Sequence, residues 1–196
     1  MATTEQAVKF GLKNAYYALY DDTAGKYGTP KRLNGAVSLS ISREGDESTF
    51  YADDIAYYST NSNAGYSGEL EIATLKDEMR IDLLGQQTDA NGVLLESTDD
   101  VPPTFALLYE VSGNINNQRF AFYNCTLSRP ETEANTKEDT VEPDTDTLEI
   151  RMISRAFTYG TDTLNLVKGS VLNTTETATT YNDWFNKVYE PTKASA

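Results

Sequence analysis

The 196-residue chain contains no histidine. That removes Ser-His-Asp and Cys-His catalysis, the commonest zinc ligand and the usual switch near neutral pH. Cysteine occurs once, at Cys125, so neither an internal disulfide nor a CxxC metal site can form. Set inside "FAFYNCTL" with no base to activate it, that thiol reads as a buried strand residue rather than a nucleophile. Positive charge is thin as well: 16 Lys and Arg against 30 Asp and Glu leave a net charge of −14. The bases are scattered, with no run beyond Lys31-Arg32, which disfavours a protein that grips phosphates. Neither GxGxxG nor GxxxxGK[ST] occurs. No apolar run is long enough to span a membrane, and "MATTEQAVKF" has neither region of a secretory signal. The chain is therefore expected to fold in a cytoplasm, with the sequons at Asn124 and Asn173 as chance matches.

A composition of 39% hydrophobic and 11% aromatic residues supports a real core, and the length suits one domain, residues 1–196. Thirteen tyrosines suit half-buried strands and contact surfaces. Period-2 alternation dominates. "AVSLSIS" sets Val37, Leu39 and Ile41 against three serines, and "GELEIAT" sets Leu70 and Ile72 against Glu69 and Glu71. "FALLYEV" and "LEIRMIS" alternate in the same way, which predicts half-buried strands of an antiparallel sheet. "RFAFYNCTL" is apolar on both faces and is expected to be a central strand, joined to "FALLYEV" through the turn "SGNINNQ". A hairpin is expected between "NAYYALY" and residues 33–43, and "TLNLVKGSVL" supplies one further strand.

Helix is scarce. "LKDEMRIDLLG" aligns Leu75, Met79 and Leu83, carries acids in its first turn and ends at Gly85, as a short helix flanking the sheet would. "TYNDWFNKVYEP" opens with Thr180 and Asp183 at capping-box spacing and puts Trp184 and Val188 on one apolar face. Two polar segments are long for a compact domain. One is residues 51–68; the other is an acidic loop or arm, residues 130–147. Residues 1–7 and 191–196 are expected to be flexible termini.

Several chemistries compete for these segments. Asp53 and Asp54 are adjacent, so on a strand they point apart and cannot act as convergent acids unless the backbone turns there. "DANG" at residues 89–92 resembles the start of a calcium loop, but Glu96 follows too soon, and a turn is the better reading. The acidic arm could hold calcium loosely. The tyrosines of "AYYALY" and "AYYS" could stack on sugars or serve packing and interfaces. No catalytic, cofactor or metal residue is assigned on these grounds. The profile is an acidic, mainly β assembly or binding domain.

Read in order, the segments "VKFGLKNAYYALY", "YGTPKRLNGAVSLSISREGDESTFYADDIAYY", "NAGYSGELEIATLKDEMRIDLLG", "FALLYEV", "FAFYNCTLSRPETEANTKEDTVEPDTDTLEI" and "YNDWFNKVYEP" resemble the major tail proteins of long-tailed bacteriophages of Gram-positive hosts. The resemblance implies an antiparallel β-sandwich or half-barrel with one short flanking helix, a long arm and extended termini. It implies a non-enzymatic virion protein, made in the host cytoplasm, whose six-subunit rings stack into a tail tube. The tube would form around a tape-measure protein, meet tail-terminator or baseplate proteins at its ends, and pass DNA without specific binding or any membrane. Subunit contacts are then expected from Tyr51, Asp53, Asp54, Tyr57, Tyr58 and Tyr66, and from Glu138, Asp139, Glu142 and Asp144 of the arm. The runner-up is a stand-alone carbohydrate-binding or adhesin-like β-sandwich; a hydrolase is weaker still.

Overall fold

The segment from Phe105 to Tyr109 has no polar face. Phe105, Leu107 and Tyr109 join one buried cluster, Ala106 and Leu108 another, and the strand must therefore be covered twice. The computed structural model describes residues 8–52, 54–113, 115–131 and 144–193. Its elements are β1 (Lys9–Asp21), β2 (Lys26–Tyr27), β3 (Lys31–Arg32), β4 (Ala36–Glu44), β5 (Glu47–Ala52), β6 (Ile55–Asn61), β7 (Gly65–Ile72) and α1 (Asp77–Leu84). There follow β8 (Gln87–Thr88), β9 (Leu94–Leu95), β10 (Phe105–Gly113), β11 (Gln118–Leu127), β12 (Asp146–Ile153), β13 (Arg155–Tyr159), β14 (Asp162–Leu166), β15 (Lys168–Leu172) and α2 (Ala178–Asp183).

The main sheet runs β2-β1-β10-β11-β12-β7-β4, with antiparallel pairing throughout. β11 forks. Its first half pairs with β15 and its second with β12, and at the junction Tyr123 N–H donates to the Val167 carbonyl (3.1 Å). One face of the sheet encloses a core of Leu70, Ile72, Leu107, Phe122, Leu148, Ile150 and Met152. α1 flanks it, adding Met79, Leu83 and Leu84, and stops at Gly85, whose left-handed φ of 76° lets its N–H reach the Arg80 and Ile81 carbonyls. Tyr17 Oη donates to Asp82 (2.8 Å) and Lys31 Nζ lies 2.6 Å from the same carboxylate, tying α1 to β1 and β3. The other face of β1, β10 and β11 is closed by Phe157 and by Tyr181, Trp184 and Val188 of the C-terminal segment.

The mainly β, antiparallel fold agrees with the sequence expectation, as do the central strand, the helix ending at Gly85 and the turn after β10. Four local expectations are corrected. β4 does not pair with β1; it crosses to β7, where Leu39 and Ile41 reach the core, and of the segment that follows β1 the short β2 and β3 alone pair back onto it. Residues 163–172 are not one strand, because the chain leaves the β13–β14 hairpin at Val167 to join β11. The C-terminal helix starts at Ala178, so Thr180 lies inside it and does not cap it. Residues 51–61 belong to a β5–β6 hairpin rather than a loop.

Arg119 fastens the C-terminal segment to the sheet. Its Nε is 2.8 Å from the Glu110 carboxylate, its Nη1 donates to the Tyr181 carbonyl, and its guanidinium lies 3.8 Å from the Tyr181 ring centre. Glu110 is only 2% exposed. Arg119→Met leaves that carboxylate buried without its cation and is expected to cost about 3–5 kcal/mol. The cost is read as a lower urea midpoint, and adding Glu110→Gln should recover part of it. Burial also pushes the Tyr109 and Tyr123 phenols up to about 12, largely by desolvation. In the unfolded chain they ionise near about 10, so their stabilisation is intact below that pH and is lost as pH rises toward about 12. The denaturation midpoint should therefore be lower at pH 11 than at pH 8.

Candidate functional site

The β5–β6 hairpin is held by cross-strand pairing of Phe50 with Tyr58, Tyr51 with Ala56 and Ala52 with Ile55, with an irregularity after Phe50. The chain turns between Ala52 and Ile55, where Asp54 takes a left-handed φ of 61° that aspartate tolerates better than most residues. Asp54 therefore sits in a turn and is exposed; Asp53 lies outside the described residues. Phe50, Tyr51, Ile55, Tyr57 and Tyr58 are all 62–71% exposed. A short ribbon lined with exposed aromatics is an apolar surface that the subunit itself leaves uncovered.

Of the other sequence-predicted contact residues, Tyr66 stands apart. It lies on β7, half-buried, with its ring edge-on to Phe122 at 5.4 Å. Asp144 is exposed beside the start of β12, while Glu138, Asp139 and Glu142 lie outside the described residues. The tyrosines of "AYYALY" are engaged in packing. Tyr16 stacks on Phe185 (4.6 Å), Tyr17 bonds Asp82, and Tyr20 lies under the Arg155 guanidinium (3.5 Å).

A second surface emerges from strand register. On the outer side of β4, β7 and β12, three rows align: Ser38–Glu71–Thr147, Ser40–Glu69–Glu149 and Ser42–Ser67–Arg151. The opposite side of the same strands carries Leu39, Leu70, Leu148 and Ile150 into the core. Thr145 and Ser38 hydroxyls donate to Glu71 (2.8 Å each) and hold its carboxyl below its ordinary pKa. Glu69 and Glu149 sit directly opposite each other, an arrangement that opposes strand pairing. This row is not there for stability. Each strand's polar side was legible in the sequence; their union was not.

The remaining chemical possibilities narrow. Cys125 is fully buried, and desolvation pushes its thiol up to about 12. Asp89 accepts the Asn91 and Val93 N–H groups at 2.8 Å each, so "DANG" is a turn. Among the described residues no group of three or more acids, histidines or cysteines could hold a metal. No described helix is long and apolar enough to cross a membrane. Reading for acids and tyrosines missed one feature, a cleft of about 610 Å³ between β2 and the C-terminal segment, edged by Lys26 and Lys187.

The family model for "Phage tail tube protein" matches residues 2–192. The chain belongs to that family, as a structural protein of the phage tail. No curated protein matches it. Since the exposed aromatics of the hairpin belong to neither core cluster, Phe50→Ser, Tyr57→Ser or Tyr58→Ser should change the stability of the unassembled protein by no more than about 0.5 kcal/mol, measured by urea unfolding.

Proposed function

We propose that this tail-tube protein closes into six-subunit rings, that the rings stack into a hollow tube, and that the hydroxyl-and-carboxylate side of β4, β7 and β12 lines the bore. The single observation that carries the reading is that side itself: three aligned rows of serine, threonine and glutamate with Arg151 as their one cation. Carboxylates repel DNA phosphates, and short hydroxyl side chains offer no extended cation to hold them, so a genome can slide past. The acid pair Glu69–Glu149, unfavourable within the subunit, then serves the conduit.

Ring closure needs two different complementary patches on each subunit. β4 is at one end of the strand order and, among the described residues, pairs only with β7, which leaves its outer edge for a neighbour. The β5–β6 hairpin and the arm at residues 130–147 add contacts between subunits or rings. The tube assembles around a tape-measure protein and ends against terminator and baseplate proteins.

Negative-stain microscopy of concentrated purified protein should show rings or tubes; a strictly monomeric protein that binds glycans would instead support the carbohydrate-binding alternative. For the bore, Glu69→Lys with Glu149→Lys should still assemble, but the tubes should retain DNA in a salt-dependent way that unmodified tubes do not. Equal DNA retention by both would contradict the assignment of the bore.

A further inference from the structure

We infer that the β5–β6 hairpin of one subunit seats in the cleft between β2 and the C-terminal segment of a second copy of this chain. The inference rests on the tube reading and names the receptor that reading leaves open. The hairpin presents large exposed aromatic and aliphatic side chains that its own subunit does not cover. The cleft, about 610 Å³, is walled by Tyr27, Trp184, Val188 and Tyr189, with the Trp184 and Tyr189 rings stacked at 5.5 Å. That surface has the aromatic and aliphatic character of a hot-spot pocket, and the volume admits more than one aromatic side chain.

Charge points the same way. The hairpin segment, residues 47–61, carries Glu47, Asp53 and Asp54 and no base. The rim of the cleft carries Lys26 and Lys187, neither of which forms an ion pair among the described residues. The same rim carries two acids, Asp183, which accepts the side-chain amide of Asn186 (3.2 Å), and Glu190. The acidic turn therefore has two unpaired lysines as local partners on a rim whose formal charge is balanced, so charge would set where on the rim it docks rather than drive the docking.

Topology supplies the third argument. The hairpin leaves the sheet from Glu44 and Gly65, at the β4–β7 end of the strand order, whereas the cleft lies beside β2 at the other end. A hairpin and a cleft are two different patches, so their contact is heterologous, the kind that propagates from copy to copy and closes into a ring when the rotation between copies closes.

The test is a cross-link between two singly substituted proteins, Ile55→Cys on the hairpin and Lys187→Cys on the rim. Buried Cys125 stays silent. After the two are mixed, assembled and oxidised, a covalent dimer should appear that neither protein gives alone and that Ile55→Cys with Ser40→Cys does not give. Tyr57→Cys serves as a second hairpin site, and urea unfolding of each variant separates misfolding from failure to dock. Tubes with no more cross-linking than the control overturn the docking but leave the tube standing. Unmodified protein that forms no ring or tube overturns both. A charge test is independent of cysteine: Lys26→Glu with Lys187→Glu should raise the concentration needed for assembly about tenfold, and Asp54→Lys should restore it. Unchanged assembly in the lysine variant contradicts the proposal.

Discussion

Burial on both faces of β10 and β11 is the constraint on which the rest of the subunit depends. Ala106 and Leu108 on one side, and Phe105 and Leu107 on the other, leave no face for water. One cover comes from the sheet's own continuation through β12, β7 and β4 with α1 against it. The other comes from the β13–β14 hairpin and the C-terminal segment, which Arg119 and the Trp184 Nε1 bond to the Phe120 carbonyl (3.1 Å) hold in place. The fold of the peripheral elements follows from what this pair of strands requires.

Once the core is closed in this way, the polar residues of β4, β7 and β12 have a single side left to them. Alternation puts Leu39, Ile41, Leu70, Ile72, Leu148 and Ile150 inward, so serine, threonine and glutamate line up outward whether or not the subunit gains from it. Where Glu69 faces Glu149, it does not gain. The hairpin tells the complementary story, with large apolar side chains placed where the subunit has no use for them. Residues that oppose or ignore the stability of the lone chain are the ones an assembly uses. In the proposed tube one of these surfaces would face passing polyanion and the other would face protein.

Legibility in the sequence tracked locality. Leu39, Ile41, Leu70, Ile72, Leu148 and Ile150 declare their strands because period-2 alternation is a local signal, and "RFAFYNCTL" declares itself central because both its sides are apolar. The partner of β4 was not legible, since nearness in the chain favours β1 while burial of Leu39 and Ile41 selects β7. The β5–β6 hairpin escaped for a different reason. Neither of its sides faces the core, so no alternation marks it. Tyr66 lies close to the hairpin in sequence, yet on β7, opposite Met152, its ring meets Phe122. The three aligned polar rows and the Lys26–Lys187 cleft depend on register and on distant chain segments meeting, which no local pattern encodes.

The central claim is that the polar side of β4, β7 and β12 faces the bore of an assembled tube. A cryo-electron microscopy reconstruction of that tube tests it most directly. The account predicts Ser40, Glu69 and Glu149 on the inner wall and a negative potential along the bore. A tube with those residues on its outer surface, or with a net-positive bore, would contradict it.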